Sequence, residues 1–337
     1  MGLQGTNYPI SYPEQKSVLE QYMKLLFADG YNPKMHSFVK NTNFIGPNSY
    51  TLQLSNIVPT NNESNIPNIR TNYTVTDKAD GERHMMFINE KGKIYLLNTN
   101  MQVLFTGSIT ENKELFNTLV DGEIVLHNKY GKFINLYAAF DVYFLNKIDV
   151  RALGFVPRKP EDNPFKFRLP LLKNIMTSLN AISIIPGEDS PIRFESKRFY
   201  PINPNDSIFS ACNFILNREK EGGFEYETDG LIFTHVNFGV GSDKIGQSGP
   251  LKRTVWDYSF KWKPPQYNTI DFLVKSVKAE NGQDKVTTIF QDGLNAASMN
   301  QLVEYKTLIL CVGYDPNQHG YINPCQDVLE DKFPTTK

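Results

Sequence analysis

Lys78-Ala79-Asp80-Gly81-Glu82-Arg83 stands directly after an alternating run, Asn72 to Thr76. The residues alone leave two readings open. Asp-Gly is a strong hairpin-turn dipeptide, so the stretch could be the tip of an exposed hairpin. Alternatively, Lys78 is a nucleophile at the mouth of a cleft, with Arg83 presented nearby for a phosphate or ribose. A lysine attacks only in its neutral form, which calls for desolvation or for neighbouring cations.

Working outward, four further stretches pair charged residues with short apolar runs. Asp121-Gly122-Glu123 opens the run Ile124-Val125, as a turn would before a half-buried strand. Tyr137-Ala138-Ala139-Phe140-Asp141 reads as a core strand, where most phenylalanines of this kind are packed away. Asp229-Gly230-Leu231-Ile232-Phe233 places a carboxylate at a strand start, either facing a cleft as a divalent-metal ligand or simply solvated. In Lys261-Trp262-Lys263-Pro264, alternation puts both lysines on one face. Two adjacent cations need an anion between them, such as a phosphate chain, unless they are protective charges on a sheet edge.

The rest of the chain sets the frame. It has 337 residues, 35 Lys plus Arg against 36 Asp plus Glu, and 40% hydrophobic residues. That supplies a packed core and excludes wholesale disorder. The net charge of −1 excludes coating of nucleic acid by bulk electrostatics, so a polyanion must be met by a local basic patch. Three cysteines, Cys212, Cys311 and Cys325, show no CxxC spacing, which disfavours a disulfide framework or a cysteine-rich zinc site and favours a reducing compartment. No apolar run reaches the roughly 18 residues of a membrane span, and no secretory h-region follows the N-terminus. Met1-Gly2 fits a myristoylation pattern that is short enough to arise by chance.

Residues 1–70 read as a polar N-terminal extension with one amphipathic helix, Ser17 to Phe27, and an Asn-rich loop at Asn61 to Asn65. Strands are expected at His84 to Asn89, Lys93 to Asn98, Gly122 to Leu126, Leu136 to Phe144, Gly230 to Val236 and Ser259 to Lys263. Helices are expected at Leu171 to Ile184 and Ile208 to Arg218. Pro264-Pro265 marks a boundary, since a double proline cannot continue a sheet ladder. Beyond it, Thr269 to Lys278, Lys285 to Phe290 and Thr307 to Tyr314 suggest a small all-β domain.

Each stretch is weak alone; the ordered set is strong. It resembles the covalent nucleotidyltransferase superfamily, which holds mRNA capping guanylyltransferases and ATP- or NAD-dependent polynucleotide ligases. Asp229 to Phe233 and Ser259 to Pro265 look most like the capping branch found in large DNA viruses. The resemblance covers about residues 70–315.

The resemblance implies an α+β fold: an ATP-grasp-like nucleotidyltransferase domain of antiparallel sheets with flanking helices (71–264), followed by an OB-fold (265–337). It implies that Lys78 forms a lysyl-GMP phosphoramidate from GTP and passes GMP to the 5′-diphosphate end of RNA, with Mg²⁺ or Mn²⁺. Asp80, Arg83 and Glu123 would serve the nucleotide, the last two at the ribose, and Phe140 would stack on guanine. Lys197, in Glu195-Ser196-Lys197-Arg198-Phe199, would reach the guanine carbonyl, although that stretch also fits a surface strand. Asp229 would face the metal, and Lys261 and Lys263 the phosphates. The family's final Arg/Lys-rich motif finds no match in Glu330-Asp331-Lys332, so an incomplete OB-fold and a longer parent polypeptide are expected, with triphosphatase or methyltransferase domains outside this chain. A cytoplasmic viral factory, virion or nucleus is implied as the location. An ATP-dependent RNA or DNA ligase, and a non-catalytic nucleotide- or RNA-binding module, remain the alternatives.

Overall fold

The computed structural model describes residues 8–59, 66–159, 161–201, 207–267, 272–290 and 302–311. It divides into two compact units, Met1–Tyr267 and Asn268–Lys337. The Gly2 pattern, the Asn61 to Asn65 loop, Cys325 and the Glu330 to Lys332 stretch lie outside the described residues.

In chain order the first unit holds α1 (Tyr12–Phe27), α2 (Pro33–His36), β1 (Asn48–Thr51), β2 (Tyr73–Ala79), β3 (Glu82–Ile88), β4 (Lys93–Asn98), β5 (Val103–Ile109) and β6 (Thr118–His127). It continues with β7 (Phe133–Leu145), β8 (Ile148–Asp149), α3 (Arg168–Ser178), β9 (Ile182–Ser183), β10 (Arg193–Ser196), α4 (Ile208–Lys220), β11 (Thr228–His235) and β12 (Val255–Trp262). The second unit shows β13 (Leu273–Ser276) paired with β16 (Leu308–Cys311), and β14 (Val286–Phe290) paired with β15 (Leu302–Lys306), both antiparallel.

Two sheets carry the first unit. One runs β1-β12-β11-β2; the other runs β10-β7-β6-β3-β4-β5-β9, with β8 beside β7. Pairing is antiparallel except at β1 with β12 and β10 with β7, which are parallel additions at sheet edges. The sheets are thus antiparallel in the main, as expected, with a parallel strand added at one edge of each.

The larger sheet is covered on both faces, so its strands do not alternate in hydrophobicity. On β3, Met85 and Phe87 face the cluster that includes Tyr22 and Met23 of α1. Met86 and Ile88 face the cluster that includes Leu172 and Ile175 of α3. The four-stranded sheet is two-faced. Val75, Leu231, Phe233 and Phe260 pack against Ile208, Ala211 and Ile215 of α4. The opposite parity presents Thr76, Ile232, Thr234, Ser259 and Lys261, all of which line a pocket.

Several local expectations needed correction. The Asp80-Gly81 turn does not close a hairpin, because β2 and β3 belong to different sheets. Here the chain crosses from one sheet to the other. A Cβ on Gly81 would stand 2.7 Å from the carbonyl oxygen of Ile124, so the crossing needs glycine. α3 begins at Arg168, before Pro170, because a proline in the first turn forfeits only an N–H that has no partner within the helix. The chain leaves that helix before Asn180, at φ 41°, and Ile182–Ser183 pairs with β5. Within residues 1–70, Asn48–Thr51 is a strand. β5 went unnoticed because Gly107, at φ 78°, interrupts its pattern.

Candidate active site

The pocket is lined from both sheets. Thr76, Ile232, Thr234, Ser259 and Lys261 come from the smaller sheet, and Arg83, Glu123, Phe140 and Asp141 from the larger. Pro47, Asn48 and Ser49 of the N-terminal segment, together with Lys197 and Phe199, complete much of the remaining wall.

Asp229 is the centre of a charge cluster beside this pocket. Lys78 Nζ lies 2.7 Å from its Oδ1, and Lys263 Nζ 2.6 Å from its Oδ2. Burial works against the carboxylate, but the two lysines prevail and hold its pKa below the ordinary aspartate value. Gly230 makes the arrangement possible. Its φ is 142°, and a Cβ there would stand 2.0 Å from the Trp262 carbonyl oxygen. Close backbone approach therefore brings Asp229 up to Lys263.

Arg83 is fixed by a residue that the sequence reading left without a role. Its Nε and Nη2 donate to Oδ1 and Oδ2 of Asp121 at 3.1 and 2.6 Å, and Nη1 donates to the Pro47 carbonyl at 2.9 Å. Asp121 is fully buried and also accepts from Tyr143 Oη at 2.6 Å. The guanidinium lies 5.6 Å from the Phe140 ring centroid, within cation–π range.

Lys197 is buried. Its Nζ donates to the Asp77 carbonyl at 2.6 Å and stands 3.0 Å from Asp77 Oδ2 and 3.9 Å from Glu123 Oε2. Burial opposes its charge, but Asp77 above all keeps the ammonium firmly protonated. Tyr226 Oη donates to the same Asp77 at 3.1 Å. Glu123 has its carboxyl raised by burial, with Lys197, Lys78 and Arg83 pulling the other way.

Phe140 is half-buried; it packs against the larger sheet's core and also lines the pocket. Asp80 is exposed and does not line the pocket; its N–H donates to the Glu227 carbonyl at 2.9 Å. Lys261 and Lys263 divide their tasks, since Lys261 lines the pocket while Lys263 reaches Asp229. Among the described residues, no group of three or more His, Cys, Asp or Glu side chains is placed to hold a cation. With both Asp229 oxygens engaged by lysines, the described residues do not fit the divalent cation expected at Asp229.

The sequence matches the model of the family described as mRNA capping enzyme, catalytic domain, over residues 61–265. The chain belongs to the mRNA capping enzyme family. A protein of Acanthamoeba polyphaga mimivirus named probable mRNA-capping enzyme is 27% identical over 97% of this chain and 28% of its own length. The mRNA-capping enzymes of Danio rerio and Mus musculus are each 26% identical, over 61% and 60% of this chain respectively. The chain spans about three-tenths of the length of these capping relatives. Among solved structures, the ligase domain of M. tuberculosis LigD aligns over 71% of this chain and 63% of that chain, at 12% identity and a TM-score of 0.39, too low to decide anything.

No helix among the described residues of this capping-family chain is long and apolar enough to cross a membrane.

Proposed function

We propose that this chain is an RNA guanylyltransferase. The observation that carries the reading is the Lys78–Asp229–Lys263 cluster beside a pocket walled by Phe140, Arg83 and Glu123. Lys78 Nζ attacks the α-phosphorus of GTP. A P–N bond forms, the bond to the bridging oxygen breaks, and pyrophosphate leaves. Lys78 must shed a proton first, and Asp229 is the acceptor in contact with it. The GMP is then carried to the terminal phosphate of 5′-diphosphate RNA, which regenerates the lysine. Phosphoryl transfer is mainly positioning and charge neutralisation, which Lys263, Lys261 and Arg83 supply. A divalent cation that arrives on the triphosphate is part of the substrate. Phe140 stacks on the base, and Glu123 with Arg83 serves the ribose. The second unit is read as part of an OB-fold.

The test is incubation with α-³²P-labelled GTP or ATP followed by denaturing electrophoresis. A label from GTP that survives denaturation is expected. A label from ATP alone would make the chain a ligase. Tight nucleotide binding with no adduct would make it a binding module.

A further inference from the structure

Phe140 and Asp141 are consecutive on β7, yet both line the pocket. Neighbours in a regular strand point to opposite faces. The register explains the exception. Asp121 pairs with Asp141 while Gly122 pairs with Ala139, so Phe140 is an extra residue on its strand. A bulge of this kind re-aims side chains, and such bulges gather at functional sites.

Asp141 is then locked beneath the pocket. The side chain of Arg168 is fully buried. Its Nε donates to Asp141 Oδ1 at 2.8 Å and its Nη2 to Oδ2 at 3.3 Å, while Nη1 donates to the carbonyls of Leu153 and Phe238. The Val142 N–H also donates to Oδ1, at 2.8 Å. Oδ1 therefore holds two donors, and Oδ2 holds one long one. A carboxylate has about four acceptor sites, so Asp141 keeps capacity for a further donor. Desolvation raises its carboxyl, and Arg168 opposes that.

We infer that Asp141 reads the nucleobase, the free site on its Oδ2 accepting a hydrogen bond from the 2-amino group of guanine when the base stacks on Phe140. The inference rests on the guanylyltransferase reading above. Guanine presents that donor, whereas adenine lacks it. An anionic acceptor in this place therefore favours guanine over adenine. Arg168 is the positioning residue that turns a buried carboxylate into a fixed reader.

The full chain is assayed for self-labelling with α-labelled GTP and with α-labelled ITP, which lacks only the 2-amino group. Losing one hydrogen bond to a charged acceptor should lower the ITP efficiency about 10- to 100-fold. In Asp141→Asn, Arg168 captures the amide oxygen and leaves the amide NH₂ toward the pocket, so the GTP-to-ITP ratio should fall close to one. Equal use of GTP and ITP by the unsubstituted chain overturns the inference while leaving the guanylyltransferase reading intact. That comparison needs no variant and survives a failure of Asp141→Asn to fold. An unchanged ratio in folded Asp141→Asn also overturns it. No adduct from any nucleotide overturns both.

Discussion

Lys78 Nζ and Asp229 Oδ1 stand 2.7 Å apart, although 151 residues separate them in the chain. The contact sets the lysine against a carboxylate on the neighbouring strand. On the proposed guanylyltransferase reading, an arriving triphosphate must compete with Asp229 for Lys78 and Lys263.

Lys78→Arg should abolish the covalent adduct. Arginine keeps the positive charge and can still pair with Asp229, but it cannot be deprotonated in a protein and so cannot attack. Mass spectrometry of the intact chain after GTP incubation checks this. A GMP-shifted Lys78→Arg species would remove Lys78 from its role.

Phe140→Ala should weaken GTP binding by about 1–3 kcal/mol, the cost of a lost base stack. Because the ring also packs against the larger sheet's core, some melting temperature is lost as well, but less than the about 3–5 kcal/mol of a fully buried phenylalanine. Calorimetric titration alongside thermal melting separates the two. A full core-sized loss of stability with unchanged GTP affinity would return Phe140 to a packing role.

Asp121→Asn should cost about 3 kcal/mol or more, because Arg83 and Tyr143 both lose an ionised, fully buried partner. By contrast, Glu20→Gln breaks the exposed i,i+4 pair with Lys24, which solvent screens, and should leave stability essentially unchanged. Urea unfolding of the two variants side by side reads the difference.

His235 sets a pH dependence. Burial, helped by the Arg158 charge, lowers its pKa from 6.5 to about 4. Its ring stacks on Phe238 at 3.8 Å, and its Nδ1 accepts from the N–H groups of Asn237 and Phe238. The native state therefore wants it neutral. The stability it confers is full above pH 6.5 and is lost as pH falls toward 4, on the order of 2 kcal/mol. His235→Gln should flatten that part of the melting-temperature profile. An unaltered slope between pH 6.5 and 4 would contradict the prediction.

The strand positions of β3, β4, β6 and β7 were legible because turns and hydrophobic runs are local signals, and the site motifs were legible because their residue types recur in order. The partners of those motifs were hidden. Asp77, Arg168 and Tyr226 meet Lys197, Asp141 and Asp77 across long separations in sequence. Nothing in the composition around Arg168 marks it as buried. Asn48–Thr51 was missed because four residues pairing in parallel with β12 carry no turn signal of their own. Asp121 was visible within Asp-Gly-Glu, but alternation alone could not show that it, rather than Glu123, holds Arg83.

The passage from Ala79 to Glu82 is three peptide links, at most about 11 Å of reach. Stacked sheets typically lie about 10 Å apart. Ala79 pairs with Thr228 in the smaller sheet and Glu82 with Ile124 in the larger, so the chain changes sheets within two intervening residues. In a hairpin loop an inserted residue is absorbed by the turn; at this crossing it would slide Lys78 and Arg83 out of phase with each other. The interval between the two fixes which residue each sheet turns toward the other, so its length matters alongside the identity of the residues at its ends.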